Sequence, residues 1–110
     1  MRRESTPLRE FEQRVLLAVL CAVRVGEAYG ITVYDELMRR TDSRVRPSAV
    51  YKTLQRLERK SLLTSYVTAP IAERGGRRKR CYRPTKTAIV ALGRAKGNLN
   101  NLWAGVGSGL

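Results

Sequence analysis

The sequence predicts a mainly α-helical fold with one small β-hairpin ahead of its last helix. Apolar residues recur at helical spacing in three segments between residues 8 and 63, and again after residue 85. Between these segments, residues 62–83 are rich in β-branched and aromatic residues, and a loop that contains Pro and Gly-Gly interrupts them. The chain of 110 residues has the length of a single small domain.

The first helix is predicted over residues 8–23. Its apolar positions, from Leu8 to Val23, recur at steps of three, four and one, which places them on one face. The charged residues of this segment, Glu12 among them, are expected on the opposite, solvent-facing side. Gly26 is expected to end the helix.

A second helix is predicted within residues 26–44, with Thr32 or an earlier residue at its start. Its apolar stripe consists of Ile31, Tyr34, Leu37 and Met38. Acidic residues in the early turns and arginines in the last turn fit the dipole of such a helix.

The third helix is predicted within residues 44–63, with Pro47 in its first turn, where the missing N–H has no partner to lose. Val50, Leu54 and Leu57 repeat at helical spacing and should face the core. The residues off this stripe have the polar and cationic chemistry that phosphates and base edges require. They are Ser48, Tyr51, Lys52, Gln55, Arg56 and Arg59. An ordinary solvated basic face is the alternative interpretation.

A β-hairpin is predicted from the strands 62–68 and 79–83. Its tip and second arm are strongly cationic, since six of the eleven residues in 73–83 are Arg or Lys. The cations proposed to bind a polyanion are Arg74, Arg77, Arg78, Lys79 and Arg80. The adjacent glycines suit a tip that must turn and approach another surface closely.

The last helix is predicted to start at Thr85 as its N-cap. Ile89, Leu92, Leu99 and Trp103 lie on one of its faces, and a domain this small has little core left for them to cover. Packing against a second copy in a twofold dimer is therefore expected, and folding back on the chain's own core is the alternative. Residues 1–84 would then form the binding domain, and 85–110 a dimerisation helix with a frayed tail.

The charge distribution points to a polyanionic partner. The formal net charge is +13, and residues 43–83 alone carry twelve basic and two acidic side chains. The absence of His excludes His-based acid–base chemistry and His-ligated metal sites, and Cys21 and Cys81 have no metal-binding spacing. We therefore predict no enzyme activity, no cofactor and no metal.

A membrane role and secretion are not favoured. The apolar run 15–23 is too short to span a bilayer, and Glu4, Glu10 and Glu12 precede it where a signal peptide would be basic. The pattern of free cysteines fits a protein of the reducing cytoplasm. A redox role for Cys81, which lies among cations, is one alternative; a strand residue that packs is the plainer interpretation.

Three helices, a basic hairpin and a closing helix form the order of a winged helix-turn-helix domain. In that scheme the helix at 47–60 enters the major groove of double-stranded DNA. The wing at 69–79 would contact phosphates or the adjacent minor groove, where Arg suits a narrow negative channel.

At this level of detail the chain resembles the PadR-like family of transcriptional regulators, in its short type. The resemblance covers roughly residues 8–104 and rests on EFEQRVLLAVL, AYGITVYDEL, PSAVYKTLQRLERKSLL and GGRRKRCYRPT in this order. It implies a homodimeric regulator, usually a repressor, that binds a pseudo-palindromic operator. Ser61 stands where the family pattern has Gly, at a position that favours positive φ.

The resemblance also implies where two copies meet. Dimerisation would use the first and last helices, with Phe11, Leu92, Leu99 and Trp103 at the interface. A small-molecule effector near Trp103 is left open, because no residue pattern marks a pocket there.

One further class of function stays open at this point. A sequence-neutral nucleic-acid-binding protein, architectural or RNA-binding, would explain the charge equally well. Phe11, Trp103 and five Tyr are the only aromatic residues, which argues against a platform that stacks single-stranded bases.

Overall fold

The computed structural model describes residues 8–68 and 78–107 of the chain. The elements follow the order α1 (Glu10–Val25), α2 (Gly30–Arg40), α3 (Pro47–Arg59), β1 (Leu63–Val67), β2 (Arg80–Pro84) and α4 (Lys86–Val106). This order confirms the predicted fold class: three helices, a hairpin and a closing helix. Residues 1–7, most of the predicted wing and the end of the predicted tail lie outside the described residues.

The packing face of α1 differs from the predicted stripe at two positions. Val15, Leu16 and Val19 are buried as expected, but Val23 is 40% exposed. Ala22 takes the core position instead, because it continues the spacing of Val15 and Val19 along the helix. The helix ends at Gly26, as predicted.

The second difference in α1 is Glu12, which was expected on the solvent side and is 1% exposed. Its carboxylate accepts hydrogen bonds from the backbone N–H of Arg9 at 3.1 Å and from Lys60 Nζ at 2.8 Å. Lys60 follows α3, so this ion pair ties the start of α1 to the end of α3. Helical periodicity alone cannot show such a partner, because it lies 48 residues away.

The second helix begins at Gly30, two residues before Thr32. Thr32 is its third residue, and the backbone N–H of Tyr29 donates to Thr32 Oγ1 at 2.9 Å. Ile31 was predicted on the core stripe but is 55% exposed, because the buried face of α2 runs through Val33 and Leu37.

The buried face of α2 also carries an acid. Glu36 is buried, and Arg39 and Arg40 both donate to its carboxylate, with Arg40 Nε 2.7 Å from Glu36 Oε1. The hydrogen bond from Arg40 lowers the pKa of Glu36 against the opposing effect of burial, so the acid stays ionised. Two of the chain's many cations are thus neutralised within α2.

The third helix begins with Pro47 and buries Val50, Leu54 and Leu57, as predicted. It ends in a Schellman motif, in which Leu62 N donates to Leu57 O and Ser61 N donates to Glu58 O, both at 2.9 Å. This motif requires a left-handed residue, and Ser61 has φ 63°. The positive φ expected at Ser61 is confirmed.

The hairpin joins the end of α3 to α4. β1 and β2 are antiparallel, in a register that runs from Leu63 opposite Pro84 to Val67 opposite Arg80. The backbone N–H of Tyr82 also donates to Ala28 O at 2.7 Å. The base of the hairpin is therefore fixed to the segment that precedes α2.

One core lies between the first three helices, the hairpin base and the first turns of α4. Its fully buried side chains include Leu16, Val33, Leu54, Leu57 and Leu63. No helix in the described part of the chain is long and apolar enough to cross a membrane.

The last helix begins with Thr85 as its N-cap, as predicted, since Thr85 Oγ1 accepts from Ala88 N at 3.2 Å. Ala88 and Leu92 pack into the core, and no later residue of this helix is buried. The helix therefore projects beyond the domain. The radius of gyration is 16.1 Å, whereas a compact chain of this length has about 13 Å.

Candidate nucleic-acid interface

The outer face of α3 presents the predicted polar residues to solvent. Ser48, Lys52 and Gln55 are exposed, on the side opposite the buried Val50 and Leu54. A helix with an apolar inner face and an exposed outer face of amide, hydroxyl and ammonium groups has the donors and acceptors that base edges and phosphates match.

Tyr51 occupies a particular place on this face. It is 38% exposed, and its ring lies against the start of α2 at Gly30. A Cβ at Gly30 would come within 2.5 Å of Tyr51 Cε1, so a residue without a side chain is needed for this contact. The ring is therefore held between the two helices with one side open to solvent.

Arg56 is turned further inward than the other predicted contact residues. It is half-buried, and its charge helps to lower the pKa of Glu12, although burial, the largest influence on that carboxyl, raises it. Part of the electrostatic role of Arg56 is therefore directed at the junction between α1 and α3.

Three of the five predicted wing cations lie in the described residues. Arg78 and Arg80 are exposed and Lys79 is half-buried, whereas Arg74 and Arg77 lie outside the described residues. Lys79 Nζ donates to Tyr29 Oη at 3.0 Å and lies 4.3 Å from the centroid of that ring. This contact joins the base of the wing to the residue that precedes α2.

Arg80 makes a contact of its own with the other side of the hairpin. Its Nη1 donates to Ser65 Oγ at 2.9 Å, and Ser65 Oγ donates to Glu58 Oε2 at 2.6 Å. A chain of three side chains thus connects β2, β1 and the last turn of α3.

The exposed face of α3 and the base of the wing border one open groove. It has a volume of about 320 Å³. Its lining is aromatic and apolar at the floor, with an amide and two cations, and consists of Tyr29, Gly30, Ile31, Tyr51, Leu54, Gln55, Lys79, Arg80 and Tyr82. Ile31 faces this groove, which explains why it is exposed.

Several exposed cations of α3 and the wing base take part in no ion pair within the described residues. Within residues 8–68 and 78–107, the ion pairs consist of Glu10 with Arg14, Glu12 with Lys60, and Glu36 with Arg39 and Arg40. None of these pairs involves Lys52, Arg59 or Arg78. The positive charge of the outer α3 face and of the wing base is therefore available to an external anion.

Comparison with known proteins identifies the family. The model of the transcriptional regulator PadR-like family matches residues 19–94, which is more than half of the chain. The chain belongs to the PadR-like family of transcriptional regulators. Membership in this PadR-like family implies regulation through DNA binding and not an enzyme activity. No curated protein matches the sequence significantly.

Solved structures share the PadR-like fold. A PadR-like transcriptional regulator from Bacillus cereus is 19% identical, with a TM-score of 0.67 over 87% of this chain and 86% of that one. A PadR family regulator from Eggerthella lenta is 23% identical, with a TM-score of 0.63 over 86% and 81% of the two chains. A zinc-responsive MarR family member from Lactococcus lactis is 13% identical, with a TM-score of 0.61 over 94% of this chain and 62% of that one.

The zinc response in the name of the Lactococcus lactis protein belongs to that protein and not to this PadR-like chain. Among its described residues, no group of three or more His, Cys, Asp or Glu side chains lies close enough together to hold a metal ion. The likeness to the Lactococcus protein concerns the fold alone.

The predicted dimer residues occupy different environments in this PadR-like chain. Phe11 is half-buried against the core, and Leu92 is buried within it. Leu99 and Trp103 are both more than half exposed. Leu102 and Val106, which the sequence reasoning omitted, are exposed as well, so the projecting part of α4 carries four apolar residues at the spacing of one helix face: Leu99, Leu102, Trp103 and Val106.

Cys81 has the environment of an inert cysteine. It is fully buried, and burial raises the pKa of its thiol, with a smaller contribution from the charge of Glu27. The hydrogen bond with Tyr66 and the nearby cations act in the opposite direction but do not reverse the shift. Because the thiolate is the reactive form, the packing interpretation of Cys81 fits the structure.

Several residues of the interface were missed at the sequence level. Tyr29, Ser65 and Glu58 anchor the wing base, and Gly30 accommodates Tyr51. Of these, only Gly30 carried a usable signal, since a glycine beside a helix start is often required by a close approach. The other contacts depend on strand register and on long-range packing.

Proposed function

We propose that this chain is a homodimeric, sequence-specific DNA-binding repressor of the PadR-like type. It would bind a pseudo-palindromic operator through the helix at 47–60 and the wing at 69–79. The observation that carries the proposal is the groove between α3 and the wing base, because one wall offers Gln55 and Tyr51 and the other offers Lys79 and Arg80. A surface that combines an amide-bearing helix with a cationic arm suits simultaneous contact with base edges and phosphates.

In this proposal the residues of α3 contact different parts of the DNA. Gln55 and Lys52 would read base edges, since Gln pairs with adenine and Lys with guanine in the major groove. Ser48 lies in the first turn of α3, where hydroxyl and backbone N–H groups suit a phosphate. Tyr51 would contact the sugar–phosphate backbone beside the groove, and Arg56 would add charge near the end of the helix.

The wing cations would bind phosphates. Arg78, Lys79 and Arg80 extend from the described base of the wing, and Arg74 and Arg77 would act from the part outside the described residues. Such contacts strengthen binding to every sequence and make it depend on salt.

The proposed domain organisation assigns residues 1–84 to DNA binding and 85–110 to dimerisation. Support for the dimer comes from the projecting half of α4, whose apolar face has no partner within the described chain. Burial of that face against a second copy would remove apolar surface from water, which favours association. A twofold dimer would present two α3 helices to half-sites about 34 Å apart, one turn of DNA.

The repressor role is proposed from the family resemblance alone. A dimer of this size would occlude the DNA it covers, and the chain would act in the cytoplasm, where two free cysteines are stable. A small-molecule effector at the dimer interface near Trp103 remains part of the proposal, without an assigned chemical class.

A sequence-neutral nucleic-acid binder is the second candidate. The cationic α3 face and wing base also favour it, because counterion release does not depend on sequence. It predicts equal affinity for unrelated duplexes, whereas the repressor proposal predicts a preference.

The test is a fluorescence anisotropy titration at about 150 mM salt, a concentration that screens non-specific contacts. The probes are a duplex from upstream of the protein's own gene and an unrelated duplex of equal length. A preference of about a hundredfold or more would support a specific regulator. If the chain bound both duplexes equally, the next experiment would be a selection of bound fragments from the genome. If that selection also returned no preferred sequence, the chain would be a sequence-neutral nucleic-acid binder and not a specific repressor.

Two variants test the interface within the same titration. Arg78→Ala should weaken binding to both duplexes and reduce the salt slope by about one per protomer, whereas Arg94→Ala, an exposed arginine on α4, is the matched control and should change neither. Gln55→Ala should reduce the preference between the duplexes more than the affinity for the unrelated one. Unchanged binding by Arg78→Ala would refute the wing assignment.

The dimer is tested by sedimentation. Leu102→Glu places a charge on the apolar face of α4 and should convert the dimer to a monomer. Asn101→Glu is the matched control, because Asn101 is also exposed but lies about 100° around the helix from Leu102. A monomeric wild-type chain, or a Leu102→Glu variant that remains dimeric, would refute this interface.

A further inference from the structure

We propose that Ser65 is a positioning residue, which holds the Arg80 guanidinium in place for a DNA phosphate by linking it to Glu58 of α3. This inference rests on the proposed DNA-binding function. It concerns a residue that touches neither base nor phosphate and acts through its neighbours.

The geometry of the three side chains defines the link. Ser65 lies on β1, with its hydroxyl 2.6 Å from Glu58 Oε2 and 2.9 Å from Arg80 Nη1. A serine hydroxyl has one proton, and a carboxylate accepts but does not donate. The proton therefore points to Glu58, and the oxygen lone pairs remain for the guanidinium, so the order of donors along the chain is fixed.

The link connects side chains of three elements, α3, β1 and β2. Glu58 belongs to the last turn of α3, two residues before the ammonium of Lys60 anchors that end to Glu12 of α1. Ser65 and Arg80 belong to the two strands of the hairpin and lie on the same face. Arg80 pairs with Val67, which is two residues after Ser65, and side chains two residues apart on a strand share a face. The direction of the Arg80 side chain is thereby set relative to α3.

The position of Arg80 explains why a fixed direction of its side chain would favour DNA binding. Its side chain is exposed and lines the same groove as Gln55 of α3. An arginine loses much rotamer freedom when it binds a phosphate, and the loss is smaller when the side chain is already oriented. One N–H group is engaged with Ser65, and a guanidinium has further donors for a phosphate.

The hydrogen bonds also show that Glu58 does not neutralise Arg80 in a direct ion pair. Glu58 and Arg80 are not joined by a direct ion pair among the described residues; the hydroxyl stands between them. Arg80 therefore keeps its positive charge facing the groove, while Glu58 polarises the hydroxyl that orients it.

The experiment compares Ser65→Ala, Ser65→Thr and Arg80→Ala with the wild-type chain by anisotropy titration on the preferred duplex, across a range of salt concentrations. Thr64→Ala is the matched control, since Thr64 is an exposed hydroxyl on the opposite face of the same strand. We expect Ser65→Ala to weaken binding about tenfold, which is about threefold for each protomer of a dimer and fits a lost hydrogen bond to a charged, partly exposed group. Ser65→Thr should restore affinity to within about twofold of wild type, since it keeps the hydroxyl and favours a strand.

The decisive readout is the double-variant cycle. In the Arg80→Ala background, Ser65→Ala should have almost no further effect, because the side chain it positions is gone. A merely structural role for Ser65 would instead lower affinity equally in both backgrounds. Thermal unfolding of each variant shows whether a loss of affinity reflects a loss of folded protein.

The outcomes distinguish this inference from the function on which it rests. Wild-type affinity in Ser65→Ala, or an undiminished effect of Ser65→Ala in the Arg80→Ala background, would overturn the positioning role while specific DNA binding by the wild-type chain stands. Wild-type affinity in Arg80→Ala would likewise overturn it. A wild-type chain that binds no duplex would overturn both proposals.

Discussion

Ser61→Gly should stabilise the protein, because Ser61 occupies a left-handed position that serine tolerates poorly. Its φ is 63°, and it is the C′ residue of the Schellman motif that ends α3. The native contacts at this position are made by the backbone: Ser61 N donates to Glu58 O, and Ser61 O accepts from Thr85 Oγ1, each at 2.9 Å. Glycine would preserve these contacts and remove the clash of Cβ with its own backbone.

The magnitude follows from two opposing effects. The left-handed conformation costs a residue with a Cβ about 1–2 kcal/mol. Glycine loses more conformational freedom on folding than serine does, and this cost offsets about 0.4–1 kcal/mol of the relieved strain. The net increase in the free energy of unfolding should be about 0.5–1 kcal/mol, or about 2–6 °C in Tm for a domain of this size.

Thermal and urea unfolding at fixed protein concentration measure this increase, since the proposed dimer would make Tm depend on concentration. Ser61→Ala is the control: it keeps the Cβ at the positive φ and should bring no gain. A Ser61→Gly variant with a Tm equal to or below that of wild type, or a Ser61→Ala variant that gains as much, would refute the assignment of strain to this residue.

Two further predictions concern Glu12 and Gly30. Burial alone would raise the pKa of Glu12, but the hydrogen bonds from Lys60 and the backbone N–H of Arg9, with nearby positive charge, lower it below its ordinary value of 4.5. The carboxylate thus stabilises the fold above pH 4.5, and this contribution is lost as the pH falls through the lower folded-state pKa. In Glu12→Gln the free energy of unfolding should therefore fall less steeply with decreasing pH in the acid range. The same acid dependence as in the wild-type chain would argue against this role of Glu12. Gly30→Ala should displace the exposed Tyr51 ring and weaken DNA binding, with a change in unfolding free energy within about 1 kcal/mol because Ala favours the helix. The control Gly93→Ala, whose Cβ would meet nothing within 4 Å, should leave DNA binding unchanged.

The elements of this fold were predictable because their signals are local. Pro47 at the first turn of α3, Thr85 as an N-cap and Gly26 as a helix end each act through the backbone of their own segment, and each was confirmed. The core of α3 followed from periodicity alone, since Val50 and Leu57 repeat at helical spacing over a continuous buried face.

The errors lie where a buried polar group or a neighbouring surface overrides the pattern. Glu12 was assigned to solvent because a carboxylate is rarely buried, and only Lys60, far along the chain, makes its burial possible. Ile31 was assigned to the core because it is apolar, but it lies at the groove between α3 and the wing base and is exposed. Periodicity describes one helix face and says nothing about how far the next element extends over it.

The candidate interface shows the same division between local and long-range information. The sequence predicted the cations and polar residues of α3 and the wing as the interface, because composition and spacing are local signals. It did not identify how Arg80 is oriented, since that depends on the pairing of two strands and on the distance from Ser65 to the last turn of α3. Charge alone brings such a protein to DNA of any sequence. Discrimination between sequences requires a fixed geometry between helix and wing. The side-chain contacts at Ser65 and at Tyr29 join the wing base to the elements beside it, together with the backbone hydrogen bond from Tyr82 to Ala28.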